Sequence, residues 1–282
     1  MDLTHFYLVN TPPIINIMSS IMEKASRHLV RDFRELMNFN KTSSSIDAFV
    51  NKAKEKTEHK IHDLIHASYP TATMDFATAG TIQHSENPRM KWVINVLDGE
   101  HNFRSGLPHF AMSFAVFEDN RLTASFIFDP TKHDQFWAYK GFGSYWDTHR
   151  MRMQRNRQDG DVVLISNPMS FQRFTAINTL PFADRTRLSW GSPALDWAYV
   201  AKNSYSGLLF QAPLSRYNIY AGLLLVKEAG GFASNRHSRF PKPDTDIMIA
   251  GNDCFYPVLM DHTPDSFFQE NTPQNVSPPP QT

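Results

Sequence analysis

Cysteine is almost missing from this chain. Cys254 stands alone among 282 residues, so neither a disulfide framework nor a thiolate zinc site can be built, and a reducing compartment is expected. No sign of charge dominates: 28 Lys and Arg balance 28 Asp and Glu. That argues against a strongly basic nucleic-acid protein, although local patches stay open. No apolar run is long enough to span a membrane. The opening stretch MDLTHFYLVNTPPIINIMSS has no basic segment leading into an apolar core, so no signal peptide is expected and the cytoplasm is the expected location. GxGxxG, Walker and GxSxG patterns are absent as well, which removes the usual dinucleotide, P-loop and serine-hydrolase readings.

What is present reads as a globular chain able to bury a sizeable core, with 41% hydrophobic and 20% charged residues. From Ile14 to about Met37 the apolar residues recur at helical spacing behind Pro12-Pro13. A second helix runs to about Ala67, with Ser45 or Asp47 as its cap and Tyr69-Pro70 as its stop. Between Trp92 and Asp147 the segments FAMSFAVFED, RLTASFIFDP and DQFWAYKGFGSYW are aromatic and β-branched. Turn clusters separate them at Asp119-Asn120, Asp129-Pro130 and Gly141 to Gly143, which predicts an antiparallel meander. VVLISNP and IMIAGN read as strands; residues 192–203 and 217–229 read as helices, the second stopped by Gly230-Gly231. The Pro/Gln/Asn-rich segment from residue 263 to 282 is expected to be a disordered tail. This order of elements predicts an α+β layered protein rather than a doubly wound one.

A series of anchors resembles a known family. They are Ser68-Tyr69-Pro70; Trp92-Val93-Ile94 leading into Leu97-Asp98-Gly99 and Asn102-Phe103; Gly106-Leu107-Pro108-His109-Phe110; Phe128-Asp129-Pro130; Gly191-Ser192 with Ala194-Leu195-Asp196 and Ala198-Tyr199-Val200-Ala201; Ala221-Gly222 with Glu228-Ala229-Gly230-Gly231; and Ala250-Gly251-Asn252. In this order they resemble the inositol monophosphatase (sugar phosphatase) superfamily, and within it the bacterial SuhB-type proteins. The resemblance implies a layered αβαβα sandwich over about residues 1–262, with an N-terminal half to about 158 and a C-terminal half from about 159. It also implies a homodimer.

The family's chemistry is Mg²⁺-dependent hydrolysis of phosphomonoesters. Hard Mg²⁺ ions held by carboxylates clamp the phosphate and activate a water. Carried over residue by residue, the resemblance implies a depleted site. The family's Glu-Glu pair falls on Ala77-Thr78. In the motif Asp-Pro-Leu/Ile-Asp-Gly-Thr, the first Asp becomes Asn95 and the Thr becomes Glu100, while Leu97 and Asp98 are kept. The Trp-Asp pair falls on Tyr217-Asn218, and the helix Asp that works with the Thr falls on Lys54. A substrate-contacting Glu falls on Gln211, and Gly191-Ser192 occupies a substrate-pocket position where Ser192 also reads as a helix N-cap. Asp98 is thus the one retained metal ligand, a weak one by itself, and no catalytic residue is intact.

Lys54 and Glu100 are expected to pair. One reading places the Lys54 ammonium in the vacated metal site between Asp98 and Glu100, neutralising a buried carboxylate; the other lets Lys54 snorkel to solvent. Three functions stay open at this point. The first is a pseudophosphatase acting as a SuhB-like factor in ribosomal RNA transcription antitermination or a similar scaffold role, with transcription-complex proteins or RNA as partners and no cofactor. The second is a weak or altered phosphatase for inositol 1-phosphate or a sugar phosphate, needing Mg²⁺. The third is a phosphate- or sugar-binding module without turnover. His59, His62 and His66 share a helix face that zinc could use; lacking a fourth ligand, they read as a polar stripe. Arg150, Arg152, Arg155 and Arg157 form a basic run, read as a solvated edge that could touch RNA or an acidic partner.

Overall fold

Two long amphipathic helices lead the chain. The computed structural model describes residues 11–37, 43–153, 162–166, 186–211, 215–235 and 247–262. Helix α1 spans Pro13–Met37 and α2 spans Ser43–Ser68. Pro13 takes the first helical position, where its missing N–H leaves no bond unmade. Ile14, Met18, Ile21, Met22, Ala25, Leu29, Phe33 and Leu36 form the buried stripe of α1. Helix α2 starts earlier than expected, so Ser45 and Asp47 lie inside its first turns; Asp47 pairs with Arg104.

The expected meander is present and larger than foreseen. Its strands are β1 (Thr73–Phe76), β2 (Gly80–Ile82), β3 (Met90–Asp98), β4 (Ala111–Glu118), β5 (Arg121–Asp129), β6 (Asp134–Tyr139), β7 (Gly143–Trp146) and β8 (His149–Met151). They form one sheet in the order β2-β1-β3-β4-β5-β6-β7-β8, with β1 parallel to β3 and the other pairs antiparallel. Asp119 and Asn120 both take positive φ (47° and 59°), the two-residue hairpin turn whose twist suits flanking strands. A short helix α3 (Glu100–Arg104) follows β3.

A second sheet holds β9 (Val162–Ser166), β10 (Thr186–Leu188), β11 (Gly207–Gln211), β12 (Phe232–Ser234) and β13 (Ile247–Gly251), in the order β10-β9-β11-β13-β12. Helices α4 (Pro193–Ala201) and α5 (Arg216–Glu228) lie between the sheets, and α6 (Phe255–His262) packs on β13. The layers run helix pair, sheet, helix pair, sheet, helix: the αβαβα order. No helix among the described residues is long and apolar enough to cross a membrane. The expected tail at 263–282, the boundary near 158, and Arg155 and Arg157 lie outside the described residues. Arg150 lies on the edge strand β8 and Arg152 just beyond it.

Strand alternation divides the core in two. Trp92, Ile94, Phe114, Val116, Phe126 and Phe128 face α1 and α2. Val93, Ala111, Ala115 and Ile127 face α4 and α5 with Trp197, Leu223 and Leu224. The smaller side chains on the second face let α5 sit close. Helix α5 meets α4 at Gly222, where an added Cβ would overlap the buried Trp197 ring. Gly222→Ala is therefore expected to destabilise the protein by about 2 kcal/mol through overpacking; urea unfolding with an unchanged midpoint would show that Trp197 can move aside.

Candidate functional site

The C-terminal end of β3 gathers most of the residues singled out in the sequence. The β1–β3 register sets Phe76 beside Ile94, and the next residue, Ala77, donates its N–H to the Ile94 carbonyl at 3.0 Å. This places Ala77 next to Asn95. The β3–β4 ladder slips between Asn95 and Asp98, and the Asn95 Oδ1 accepts the Leu97 N–H inside that irregularity at 3.2 Å. Gly99 then turns the chain with φ 85°. A Cβ on Gly99 would lie 3.0 Å from the His109 carbonyl oxygen and 3.2 Å from Ser192 Cβ, so glycine answers both the conformation and the close approach of Gly191-Ser192. Asn102 fastens the same turn, its Nδ2 donating to the carbonyls of His109 and Trp190 at 2.7 Å each.

Asp98 sits at the centre of this arrangement and is buried. Its Oδ1 accepts from the Ser192 hydroxyl at 2.6 Å and from the Ala194 N–H at 3.0 Å, and its Oδ2 accepts from Asn218 Nδ2 at 3.2 Å. Ser192 does hold the N-cap position of α4, but its hydroxyl makes no capping bond to the helix and turns to Asp98 instead. Asp98 satisfies the free N–H in the first turn of α4, where the helix dipole favours an anion. The amide of Asn218 is oriented from both sides: Oδ1 accepts from Ser215 Oγ at 2.7 Å while Nδ2 donates to Asp98. Burial pushes the Asp98 carboxyl above its usual value, opposed by the bonds from Ser192, Ala194 and Asn218. Three other buried aspartates meet cations: Asp129 with Lys132 at 2.5 Å, Asp75 with Lys91 and Arg216, and Asp32 with Arg31. Asp98 meets neutral donors.

Lys54 divides the earlier expectation. Its Nζ lies 2.8 Å from Glu100 Oε2, with the lysine side chain 15% exposed, so it does not snorkel. It does not bridge to Asp98, whose hydrogen bonds come from Ser192, Ala194 and Asn218. The reason is directional: Asp98 faces α4 and α5, while Glu100 begins α3 and faces α2. Arg104 holds Glu100 from the other side, with Nη2 at 2.5 Å from Oε1, and also reaches Asp47. Burial raises the Glu100 carboxyl, and the bonds from Lys54 and Arg104 outweigh it, leaving a net value below the usual range.

Glu58 is a residue that the sequence reading missed. It lies one turn beyond Lys54 on α2, and its carboxylate accepts the N–H groups of Thr78 and Ala79 at 3.0 Å each. The stretch where the resemblance expects acidic side chains is thus clamped by a carboxylate from a helix. Burial raises the Glu58 carboxyl, against those two N–H groups and Lys54. The Lys54-to-Glu58 spacing was the available signal.

Asp75 was missed too, although a charge in the buried strand TMDF is conspicuous. Arg216 Nη2 donates to its Oδ1 at 2.9 Å, and Tyr217 Oη lies 2.8 Å from the same oxygen. Arg216 Nε is 2.8 Å from Oδ2, a close charge contact without hydrogen-bond alignment. Lys91 adds a contact to Oδ2 at 3.2 Å. These contacts tie the start of α5 to β1. Burial raises the Asp75 carboxyl, but the bonds from Tyr217, Arg216 and Lys91 bring it below the usual 3.8. A depressed carboxyl stabilises the fold above its unfolded value, and that contribution is lost as pH falls through the folded one. Arg216→Ala is expected to cost roughly 1 kcal/mol at pH 7, a modest figure because the guanidinium is partly in water. The cost should shrink below pH 3.8 as Asp75 protonates. A pH-independent difference in unfolding free energy would refute the pairing.

The donor set does not fit a Mg²⁺ ion. Ala77 offers no side-chain oxygen. Asn95 Oδ1 accepts the Leu97 N–H, Asn218 turns a donor inward, and both Asp98 oxygens are in use. Glu100 is held by two cations. Gly191 and Ser192 are brought against this turn; Gln211 ends β11, paired with Ile247.

The order of layers agrees with what comparison finds. The chain matches the model of the Inositol monophosphatase family over residues 10–262. It belongs to that family. The Nus factor SuhB of Haemophilus influenzae is 31% identical over 227 residues, covering 78% of this chain and 84% of that protein. The inositol-1-monophosphatase of Mesorhizobium japonicum is 29% identical over 255 residues, covering 88% and 94%. Among solved structures, the extragenic suppressor protein suhB from Bartonella henselae superposes with a TM-score of 0.75 at 25% identity, covering 89% of this chain and 99% of that one. Relatives of both names therefore resemble this chain.

Proposed function

We propose that this family member is a pseudophosphatase that acts as a SuhB-like non-catalytic factor, in ribosomal RNA transcription antitermination or a similar scaffold role. The observation that carries the reading is the cage around Asp98. A carboxylate serving Mg²⁺ would need free oxygens, whereas three neutral donors hold this one. The Lys54–Glu100–Arg104 chain adds support, because it spends the nearby acidic group on protein cations. It also weakens the anion-binding alternative, since Lys54 is already paired. Relatives named Nus factor SuhB fit the scaffold role.

As such a factor the protein would act in the cytoplasm as a homodimer, with transcription-complex proteins or RNA as partners and Arg150 and Arg152 on the contact surface. The phosphatase alternative rests on the relative named inositol-1-monophosphatase. Phosphate release from inositol 1-phosphate, in millimolar Mg²⁺, separates the two. The expected result is background release, equal in wild type and Asp98→Ala. Turnover that disappears in Asp98→Ala would establish the enzyme instead.

A further inference from the structure

The polar stripe on α2 gains a member from outside the helix. His59, His62, Asp63 and His66 lie along α2, with His62 and His66 one turn apart. The segment after β2 carries His84 onto the same face. His62 Nε2 and His84 Nε2 are 3.2 Å apart, and the His66 ring lies 4.5 Å from the His84 ring and 5.8 Å from the His62 ring, centroid to centroid. A fourth histidine, from a different element, thus joins the three on the helix.

Two features point to a metal ion. The first is the separation of the two Nε2 atoms. Zinc binds imidazole at 2.0–2.1 Å in a tetrahedron, which sets two nitrogen ligands about 3.3 Å apart. The observed 3.2 Å matches that edge. The second is Asp63, whose Oδ1 lies 3.2 Å from His62 Nδ1 and 3.6 Å from His59 Nδ1. A carboxylate on Nδ1 fixes the tautomer in which Nε2 carries the lone pair, the arrangement that metal-binding histidines use. Among the described residues only His59, His62 and Asp63 bring one ligand atom each within 4.8 Å of one another, on the Nδ1 side of His62, so the exposed His66 ring has to turn toward the His62–His84 pair to serve as a third ligand.

We propose that His62 and His84, joined by His66 when its exposed ring turns toward them, form a binding site for a divalent transition-metal ion of the zinc class, with Asp63 positioning His62 and water completing the shell. Neutral imidazole suits zinc, nickel and copper and does not suit Mg²⁺. His62 is about 12 Å along α2 from Lys54, so the site is separate from the family's phosphatase centre. A bound ion would staple the segment after β2 to α2, next to the Thr78–Glu58 clamp.

The test uses the full-length, metal-stripped protein and Zn²⁺ competed against a chromophoric chelator, with Co²⁺ absorption reporting the geometry. Wild type is expected to bind one equivalent, with the Co²⁺ bands of a tetrahedral nitrogen site. His84→Ala and His62→Ala should each weaken binding by about tenfold or more. His149→Ala, remote from the cluster in sequence and structure, should bind as wild type. His84 is exposed and His62 partly covered, so metal-free thermal unfolding is compared first, and binding lost in His84→Ala with unchanged unfolding is assigned to the ligand. No saturable equivalent, or equal affinity in wild type, His84→Ala and His62→Ala, would overturn the site. So would a loss as large in His149→Ala, which would mark binding spread over surface histidines.

Discussion

Asp98→Ala is expected to lower the unfolding free energy by about 3 kcal/mol while changing no metal-dependent activity. The substitution removes the acceptor for the Ser192 hydroxyl, the Ala194 N–H and the Asn218 amide together. A buried donor left without a partner costs about 1–3 kcal/mol. The hydroxyl can rotate and the amide can shift, whereas the helix N–H cannot, so the losses do not simply add. In a chain of this length the melting temperature should fall by roughly 6–10 °C. A phosphatase ligand behaves otherwise: removing it abolishes turnover and often relieves strain in the fold. An Asp98→Ala protein as stable as wild type would mean that the cage does not hold the two helix starts.

Asn218→Asp is expected to be nearly as harmful, also by about 3 kcal/mol at neutral pH. The resemblance assigns a family aspartate to this position, so the change looks like a reversion. Here Asn218 Nδ2 faces Asp98 Oδ2 at 3.2 Å, and an acid would set two carboxylates against each other in a buried place. Like charges this close cannot both ionise without a cation between them, so one carboxyl is forced up. A raised carboxyl penalises the fold fully above its folded value, and the penalty fades as pH falls towards the unfolded one. The variant should therefore approach wild-type stability near pH 4 and fall behind above it. Urea midpoints across that range measure this; equal midpoints at pH 7.5 would mean that a cation or water already separates the two groups.

The fold was largely legible because its long elements carry strong patterns. The α1 stripe and the turn clusters of the meander are local signals, readable within a window of residues. Strands β1 and β2 were missed because four and three residues carry little pattern and β1 pairs in parallel with β3 across the intervening chain. In the candidate site, the residue types at Lys54, Asn95, Glu100 and Asn218 were legible, and so was the Lys54–Glu100 pairing. The direction of Asp98 was not. Its partners lie 94 to 120 residues away, and which way the Ser192 hydroxyl turns depends on how α4 meets β3. Glu58 could have been found from its one-turn spacing to Lys54. His84 could not, because nothing local says that the segment after β2 returns to α2.

Calorimetric titration of Mg²⁺ into the purified protein tests the central claim most directly, because Mg²⁺ takes oxygen ligands and passes over histidine clusters. No saturable heat is expected up to several millimolar, with identical traces for wild type and Asp98→Ala. A saturable equivalent in wild type that vanishes in Asp98→Ala would contradict it, and would mean that the cage opens to give Asp98 back to a metal.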